Sequence, residues 1–163
     1  MSDKQRKGIL NYTTTIDPTR TAGEISGLLA AKGARSVNID YHKGEPVALS
    51  FSIEAYGKLF AFRLPCNVEG YERAMTRNGQ IPQRYKTTEQ AKRTAWRNLK
   101  EWVEVQLAFI ETQQAELTQI FLSYIITDSG QTLFQRLTQD SKGLLAGSDQ
   151  RLLGSGETNR GDA

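Results

Sequence analysis

Hydrophobic and polar residues alternate with a period of two in four segments of the chain, which is the pattern of half-buried β-strands. The predicted strands are residues 10–16, 37–41, 47–53 and 60–64. The last three are joined by short links at Lys43-Gly44 and Tyr56-Gly57, which suit tight hairpins. We therefore expect a small antiparallel sheet with one face buried.

Other segments have apolar residues spaced three or four apart, which predicts helices. Asp17 and Pro18 suit the N-cap and first position of a helix that Gly33 would end. Asn67 is expected to cap a short helix through about Arg77. Residues 79–86 are expected to be an extended connection, and two short helical segments are expected within residues 117–125 and 133–137.

The longest predicted helix runs from about Thr87 to Glu111, with Thr87 and Gln90 at the spacing of a capping box. Its expected buried stripe is Leu99, Trp102, Val103, Gln106, Leu107 and Ile110. The opposite face carries Arg93, Arg97 and Lys100, with Trp96 at the margin between the two. We expect one helix with a core face and a separate basic face.

The predicted order, β-α-β-β-β followed by helices, indicates an α+β fold. Residues 1–138 are expected to form a single domain, since a chain of this size and 38% hydrophobic content can bury a substantial core. Residues 139–163 hold five of the fourteen glycines and no aromatic residue. That composition predicts a disordered tail.

The composition also restricts the chemistry of the chain. Cys66 is its one cysteine, so no intrachain disulfide can form, and no apolar run is long enough for a membrane helix. His42 is the one histidine and is expected to be exposed near a hairpin, and no phosphate-binding glycine motif is present. We expect a cytoplasmic protein that is not an enzyme and uses no cofactor or metal.

Positive charge is concentrated between residues 73 and 100. This segment has eight lysines and arginines against one acid, Glu89, although the whole chain carries only +3. Clustered cations attract phosphates, arginine binds them in bidentate fashion, and nearby aromatic side chains can stack on bases. The expected ligand-binding residues are Arg73, Arg77, Arg84, Tyr85, Lys86, Arg93, Trp96, Arg97 and Lys100. Two alternatives stay open: the charges are a solvated helix face, and Trp96 belongs to the core.

A set of short motifs resembles a group of small uncharacterised proteins encoded by bacteriophages and integrated mobile elements. The motifs are Phe62-Arg63-Leu64-Pro65, Ala95-Trp96-Arg97, Trp102, Gln106, Ile110-Glu111, Phe121-Leu122, Tyr124 and Gly130-Gln131-Thr132-Leu133. They span about residues 9–137. The resemblance implies a phage gene product in a bacterial cytoplasm, and it assigns no functional residue because the group has no established activity.

Three functions remain open. The first is a non-catalytic protein that binds a phosphate-bearing ligand, most readily nucleic acid without sequence preference. The second is a counter-defence protein that sequesters a host nucleotide signal or blocks a host defence protein. The third is a homo-oligomeric structural protein with Trp102, Phe109 and Phe121 at its interface. Nucleic acid needs an open basic track, whereas a sequestered nucleotide needs a closed pocket.

Overall fold

The structure, a computed structural model, describes residues 8–140 of the 163-residue chain. The predicted disordered tail, apart from Gln139 and Asp140, lies outside the described residues. The elements are α1 (Pro18–Ala31), β1 (Ser36–His42), β2 (Glu45–Ala55), β3 (Lys58–Leu64), α2 (Val68–Arg77), a 3-10 turn (Gln83–Tyr85), α3 (Thr88–Glu111), α4 (Leu117–Ile120), a second 3-10 turn (Leu122–Tyr124) and α5 (Leu133–Gln139). The chain is therefore an α+β fold, as predicted.

Two hairpins build the sheet, which is antiparallel with the order β1-β2-β3. Lys43 and Gly44 have φ angles of 50° and 81°, and Tyr56 and Gly57 have φ angles of 53° and 69°. Two consecutive residues with positive φ form the type I′ turn, whose twist matches that of the strands it joins. These turns fix the register that places Phe51 opposite Phe62.

Helix α1 begins and ends as its sequence predicts. The Asp17 carboxylate accepts a hydrogen bond of 2.8 Å from the backbone N–H of Thr19, and Pro18 occupies the first turn. Gly33, with φ of 93°, follows the last turn. The buried side of α1 packs against the sheet and α3 through Ala22, Ile25 and Leu29.

The main core lies between α1, α3 and one face of the sheet. Phe51 and Phe62 stack with ring centroids 4.9 Å apart, and the Phe121 ring meets Phe51 edge-on at 5.6 Å. Trp102 packs edge-on against Phe121. Since Phe121 is fully buried, its predicted place at an oligomer interface is wrong; Phe109, by contrast, is 49% exposed.

The predicted first strand, residues 10–16, is absent. Residues 10–13 form a turn in which Asn11 has a φ of 62°, and the sheet has three strands rather than four. The alternation misled because Tyr12 is half-buried against the second core, beside α2 and the 3-10 turn, rather than against a sheet. Its backbone carbonyl is bound by the side chain of Gln90 on α3.

A second, smaller core joins α2 to the start of α3. It consists of Met75, Ile81 and Ala91, packed with Ile9, Tyr12, Val68, Tyr71 and Tyr85. The segment between the two helices is therefore held in place rather than extended, and it includes a 3-10 turn that the sequence did not predict.

After α3 the chain contains less helix than expected. Helix α4 has only four residues, and Ile125, expected in that helix, forms an isolated β-bridge with Phe62. Thr132 and Gln135 form a capping box that starts α5. Within residues 8–140, no helix combines the length and the apolar character needed to cross a membrane.

Candidate nucleic-acid interface

The first half of α3 is enclosed, so it does not present one continuous basic face. Glu24 of α1 contacts it at Arg97, and Tyr71 of α2 contacts it at Asn98. The N-terminal segment contacts it through Gln90, whose Nε2 donates to the backbone oxygens of Tyr12 and Thr14 at 2.9 and 2.8 Å. These neighbours divide the predicted basic residues into separate groups.

Half of the eight cations between residues 73 and 100 are ion-paired. Arg97 Nη1 lies 2.6 Å from Glu24 Oε2, and Lys100 Nζ lies 2.5 Å from Glu104 Oε1. The Arg97 and Lys100 side chains are only 18% and 15% exposed. The two other pairs are Arg73–Glu69 at 3.8 Å and Lys92 with both Glu45 and Glu89, at 2.5 and 3.0 Å.

The Arg97–Glu24 pair joins α3 to α1 and is a structural contact. The hydrogen bond from Arg97 is the main cause that lowers the pKa of the Glu24 carboxyl, opposed by burial and aided by the charges of Arg97 and Lys100. Arg97 and Lys100 are already neutralised and partly covered. The prediction that they contact a phosphate ligand is therefore not favoured by their geometry.

Trp96 is fully buried, so the prediction that it stacks on a base is wrong. Its ring belongs to the main core with Leu99 and Val103. The sequence placed Trp96 on a boundary because only one core face was assumed, whereas α3 contacts α1 as well as the sheet. The open alternative, Trp96 as a core residue, is correct.

Four of the eight cations between residues 73 and 100 have no carboxylate partner among residues 8–140. They are Arg77 at the end of α2, Arg84 and Lys86 at the 3-10 turn, and Arg93 in the second turn of α3. We call these four residues the unpaired-cation surface. Lys86 Nζ donates to the backbone oxygen of Thr76 at 3.1 Å, which fixes the 3-10 turn beside the end of α2.

A continuous series of contacts joins this surface to α3. The Arg84 guanidinium carbon lies 4.9 Å from the centre of the Tyr85 ring, and the Tyr85 ring meets the Tyr12 ring edge-on at 5.5 Å. Gln90 binds the Tyr12 carbonyl and accepts a hydrogen bond of 3.4 Å from Arg93 Nη1. Thus Arg84 and Arg93 are connected through three half-buried or buried side chains.

Tyr85 is half-buried, with Arg84 over one face of its ring, so its predicted role in stacking changes. The outer face of the Arg84 guanidinium is the available plane, because bases stack on guanidinium groups as well as on aromatic rings. The other face of the guanidinium contacts the Tyr85 ring. We therefore interpret Tyr85 as a residue that positions Arg84.

Sequence reasoning missed the role of Gln90. Thr87 and Gln90 do show half of a capping box, since Thr87 Oγ1 accepts from the Gln90 backbone N–H at 3.1 Å. The Gln90 side chain does not complete the box and instead holds the N-terminal segment. The spacing was a correct signal for the helix start, but it assigned the side chain to the wrong partner.

Each of three surface cavities that contain basic residues also contains two carboxylates. The first is lined by Glu24, Gly27, Leu28, Ala31, Arg97, Lys100 and Glu104, the second by Glu69, Glu72, Arg73, Thr76 and Arg77, and the third by Glu45, Pro46, Val47, Cys66, Asn67, Val68, Glu69 and Lys92. Carboxylates repel phosphates, so none of the three favours a sequestered nucleotide.

Comparison with protein-family models, with curated proteins and with solved structures gives no match to this chain.

Proposed function

We propose that this chain is a non-catalytic binding protein for a phosphate-bearing ligand, most readily single-stranded nucleic acid without sequence preference. The observation that supports this function is the unpaired-cation surface, where Arg77, Arg84, Lys86 and Arg93 have no carboxylate partner within residues 8–140. Contacts through intermediate residues link the end of α2, the 3-10 turn and the start of α3. Elsewhere in the same charged segment, cations are neutralised by acids of the same helix or of a neighbouring element. A phosphate backbone would supply the negative charge that the protein itself does not provide here.

Arginine supports nucleic acid over a simple anion. Three of the four unpaired cations are arginines, whose planar groups bind phosphates and also stack on bases. The Arg84 guanidinium carbon lies within cation–π range of the Tyr85 ring, and this contact restrains its orientation before a ligand arrives. The four residues are spread over three elements, α2, the 3-10 turn and α3, which suits an extended strand better than a single small anion.

The test is binding of a fluorescently labelled, mixed-sequence single-stranded oligonucleotide, measured by anisotropy over a range of NaCl concentrations. Four phosphate contacts on a single strand predict a slope of log K against log salt of about −3. Arg84→Ala combined with Arg93→Ala should make that slope shallower by about 1.4, because two contacts are lost.

Two further variants test separate points. One separates the effect of charge from that of stacking, and the other separates the unpaired-cation surface from the ion-paired cations of α3. Arg84→Lys keeps the charge but loses the planar group, so affinity should fall while the slope stays the same. Lys100→Ala removes a cation that is paired with Glu104, and its slope should match the wild type. Absence of binding at about 50 mM salt, or an unchanged slope in the double variant, contradicts the proposal.

The resemblance to small phage proteins supports a bacterial cell as the setting, where phage or host nucleic acid is the ligand. Native mass spectrometry of the purified protein tests the counter-defence alternative. A retained nucleotide, together with no oligonucleotide binding, would replace nucleic-acid binding by nucleotide sequestration.

A further inference from the structure

A cavity of about 340 Å³ lies between α2, α3, the segment that joins β3 to α2, and the second 3-10 turn. It is lined by Pro65, Cys66, Asn67, Tyr71, Ala95, Asn98, Leu99, Trp102 and Tyr124. We call it the Cys66 cavity. It shares no residue with the unpaired-cation surface, so its ligand is a question separate from nucleic-acid binding.

The lining of the Cys66 cavity carries no charge. None of its nine side chains is an acid, lysine, arginine or histidine, and burial raises the pKa of the Cys66 thiol to about 12, which keeps it protonated at neutral pH. An ion entering this cavity would lose water without gaining a charged partner. The electrostatics therefore favour an uncharged ligand.

Three aromatic side chains and two hydrogen-bonding groups define the shape of that ligand. The Trp102 and Tyr124 rings meet edge-on at 5.6 Å, and Tyr71 lines the same cavity. Asn98 Nδ2 donates to the Tyr71 hydroxyl at 3.1 Å, so these two groups satisfy each other. By contrast, the Tyr124 hydroxyl and the Asn67 amide nitrogen have no hydrogen-bond partner among residues 8–140.

We propose that the Cys66 cavity binds an uncharged aromatic molecule of about the size of indole, with a polar group directed to Tyr124 or Asn67. Volume supports this size: an engineered apolar cavity of about 150 Å³ is enough to bind benzene. A cavity of roughly twice that volume accommodates a two-ring molecule. Aromatic walls favour a flat ring over an aliphatic chain because edge-on and stacked ring contacts add to the area buried.

Cys66 is the one cysteine of the chain, so its modification rate reports occupancy of the Cys66 cavity and of the adjoining cavity that Cys66 lines with Glu45, Glu69 and Lys92. The full-length protein is treated with methyl methanethiosulfonate, a small uncharged thiol reagent, with and without indole, and modification is followed by mass spectrometry. A ligand of nine heavy atoms predicts a Kd of about 1 mM, so roughly 10 mM indole should slow the modification of Cys66 about tenfold.

Three comparisons localise the effect. Benzoate, an anion of similar size, should give no protection. Tyr124→Phe keeps the ring and removes the hydroxyl, so the indole concentration for half-protection should rise about fivefold. Ala30→Cys, at an exposed position of α1 and in a Cys66→Ser background, should react equally fast with and without indole.

The proposal is overturned if indole does not slow Cys66 modification, if benzoate protects Cys66 as well as indole does, or if indole protects the cysteine at position 30 equally. Heteronuclear NMR of the wild-type protein gives a second measurement. Added indole should shift the side-chain N–H resonance of Trp102, which lines the cavity, more than that of the buried Trp96.

Discussion

Gln90 holds the N-terminal segment on α3, and its replacement should release that segment. The side chain belongs to a residue only 7% exposed, and it donates to the Tyr12 and Thr14 carbonyls. Gln90→Ala leaves two carbonyl oxygens without a donor, each at a cost of about 1–3 kcal/mol when fully buried. Both carbonyls lie in partly buried residues that water can reach, so we expect a total loss of about 2–3 kcal/mol.

Gln90→Glu keeps the shape of the side chain but replaces the N–H donor with a carboxylate oxygen, which accepts hydrogen bonds and does not donate them. An ionised carboxylate would place negative charge beside two carbonyl oxygens, and Arg93 opposes this only in part because its contact with Gln90 is long, at 3.4 Å. The protonated form is therefore favoured in the folded state, which raises the folded-state pKa of the introduced carboxyl above its unfolded value of about 4.3. Below that pH the protonated carboxyl donates to one of the two carbonyls, so part of the stability is retained, and this part is lost as pH rises through the folded-state pKa.

Urea unfolding followed by far-UV circular dichroism measures both losses. For a protein of this size, the Gln90→Ala loss corresponds to a fall in Tm of about 5–10 °C. Hydrogen exchange should show the faster opening first in residues 9–16. Gln106→Ala is the matched control, since Gln106 lies on the same helix and makes no side-chain hydrogen bond within residues 8–140. Equal losses for the two glutamines, or a Gln90→Glu loss that is independent of pH, would refute this reasoning.

Two further predictions concern the contacts of α3 with the main core and with α1. Leu99→Ala should lower the free energy of unfolding by about 2–5 kcal/mol, measured with urea, because Leu99 is buried. Arg97→Ala should cost at most half as much, because Glu24, the partner of Arg97, still has Arg20 and solvent. Equal losses for the two variants would contradict this order. Glu24→Gln should make stability less sensitive to acid. Because the pKa of Glu24 is lowered in the folded state, its ion pair stabilises the fold above about pH 4.5, and this stabilisation is lost as pH falls further. A variant whose stability follows the wild-type pH profile between pH 6 and 3 would contradict this.

Local signals predicted most of the elements because each depends on neighbouring residues. The Asp17-Pro18 start, the Gly33 stop and the paired turn residues all act within a few positions, and all are confirmed. The first predicted strand failed for the opposite reason. A period of two shows only that alternate residues are covered, and Tyr12 is half-buried by side chains of α2 and the 3-10 turn instead of by a sheet.

The candidate site also shows that local sequence signals do not report contacts between distant parts of the chain. Arg97 pairs with an acid 73 positions earlier in the chain, and Lys92 pairs with Glu45 as well as with its neighbour Glu89. The composition of residues 73–100 includes eight cations and one acid, but it leaves out the acids elsewhere in the chain that pair with these cations. It therefore overstated the positive charge available to a ligand. No local pattern distinguishes a cation that closes a helix–helix contact from one that lacks a partner.

The division into paired and unpaired cations also changes what positive charge contributes in this fold. A paired cation such as Arg97 fixes the packing of α1 on α3, and it has little attraction left for phosphate. The four unpaired cations carry like charge, and any two of them within a Debye length of about 8 Å repel each other and weaken the folded state. Lys86 offsets part of this cost by binding the Thr76 carbonyl at the negative end of α2. Arg84 and Arg93 have only neutral contacts, to Tyr85 and Gln90, so their charges receive the least compensation inside the chain. An external polyanion compensates them most, which is why the Arg84 and Arg93 pair is the most informative substitution for the proposed function.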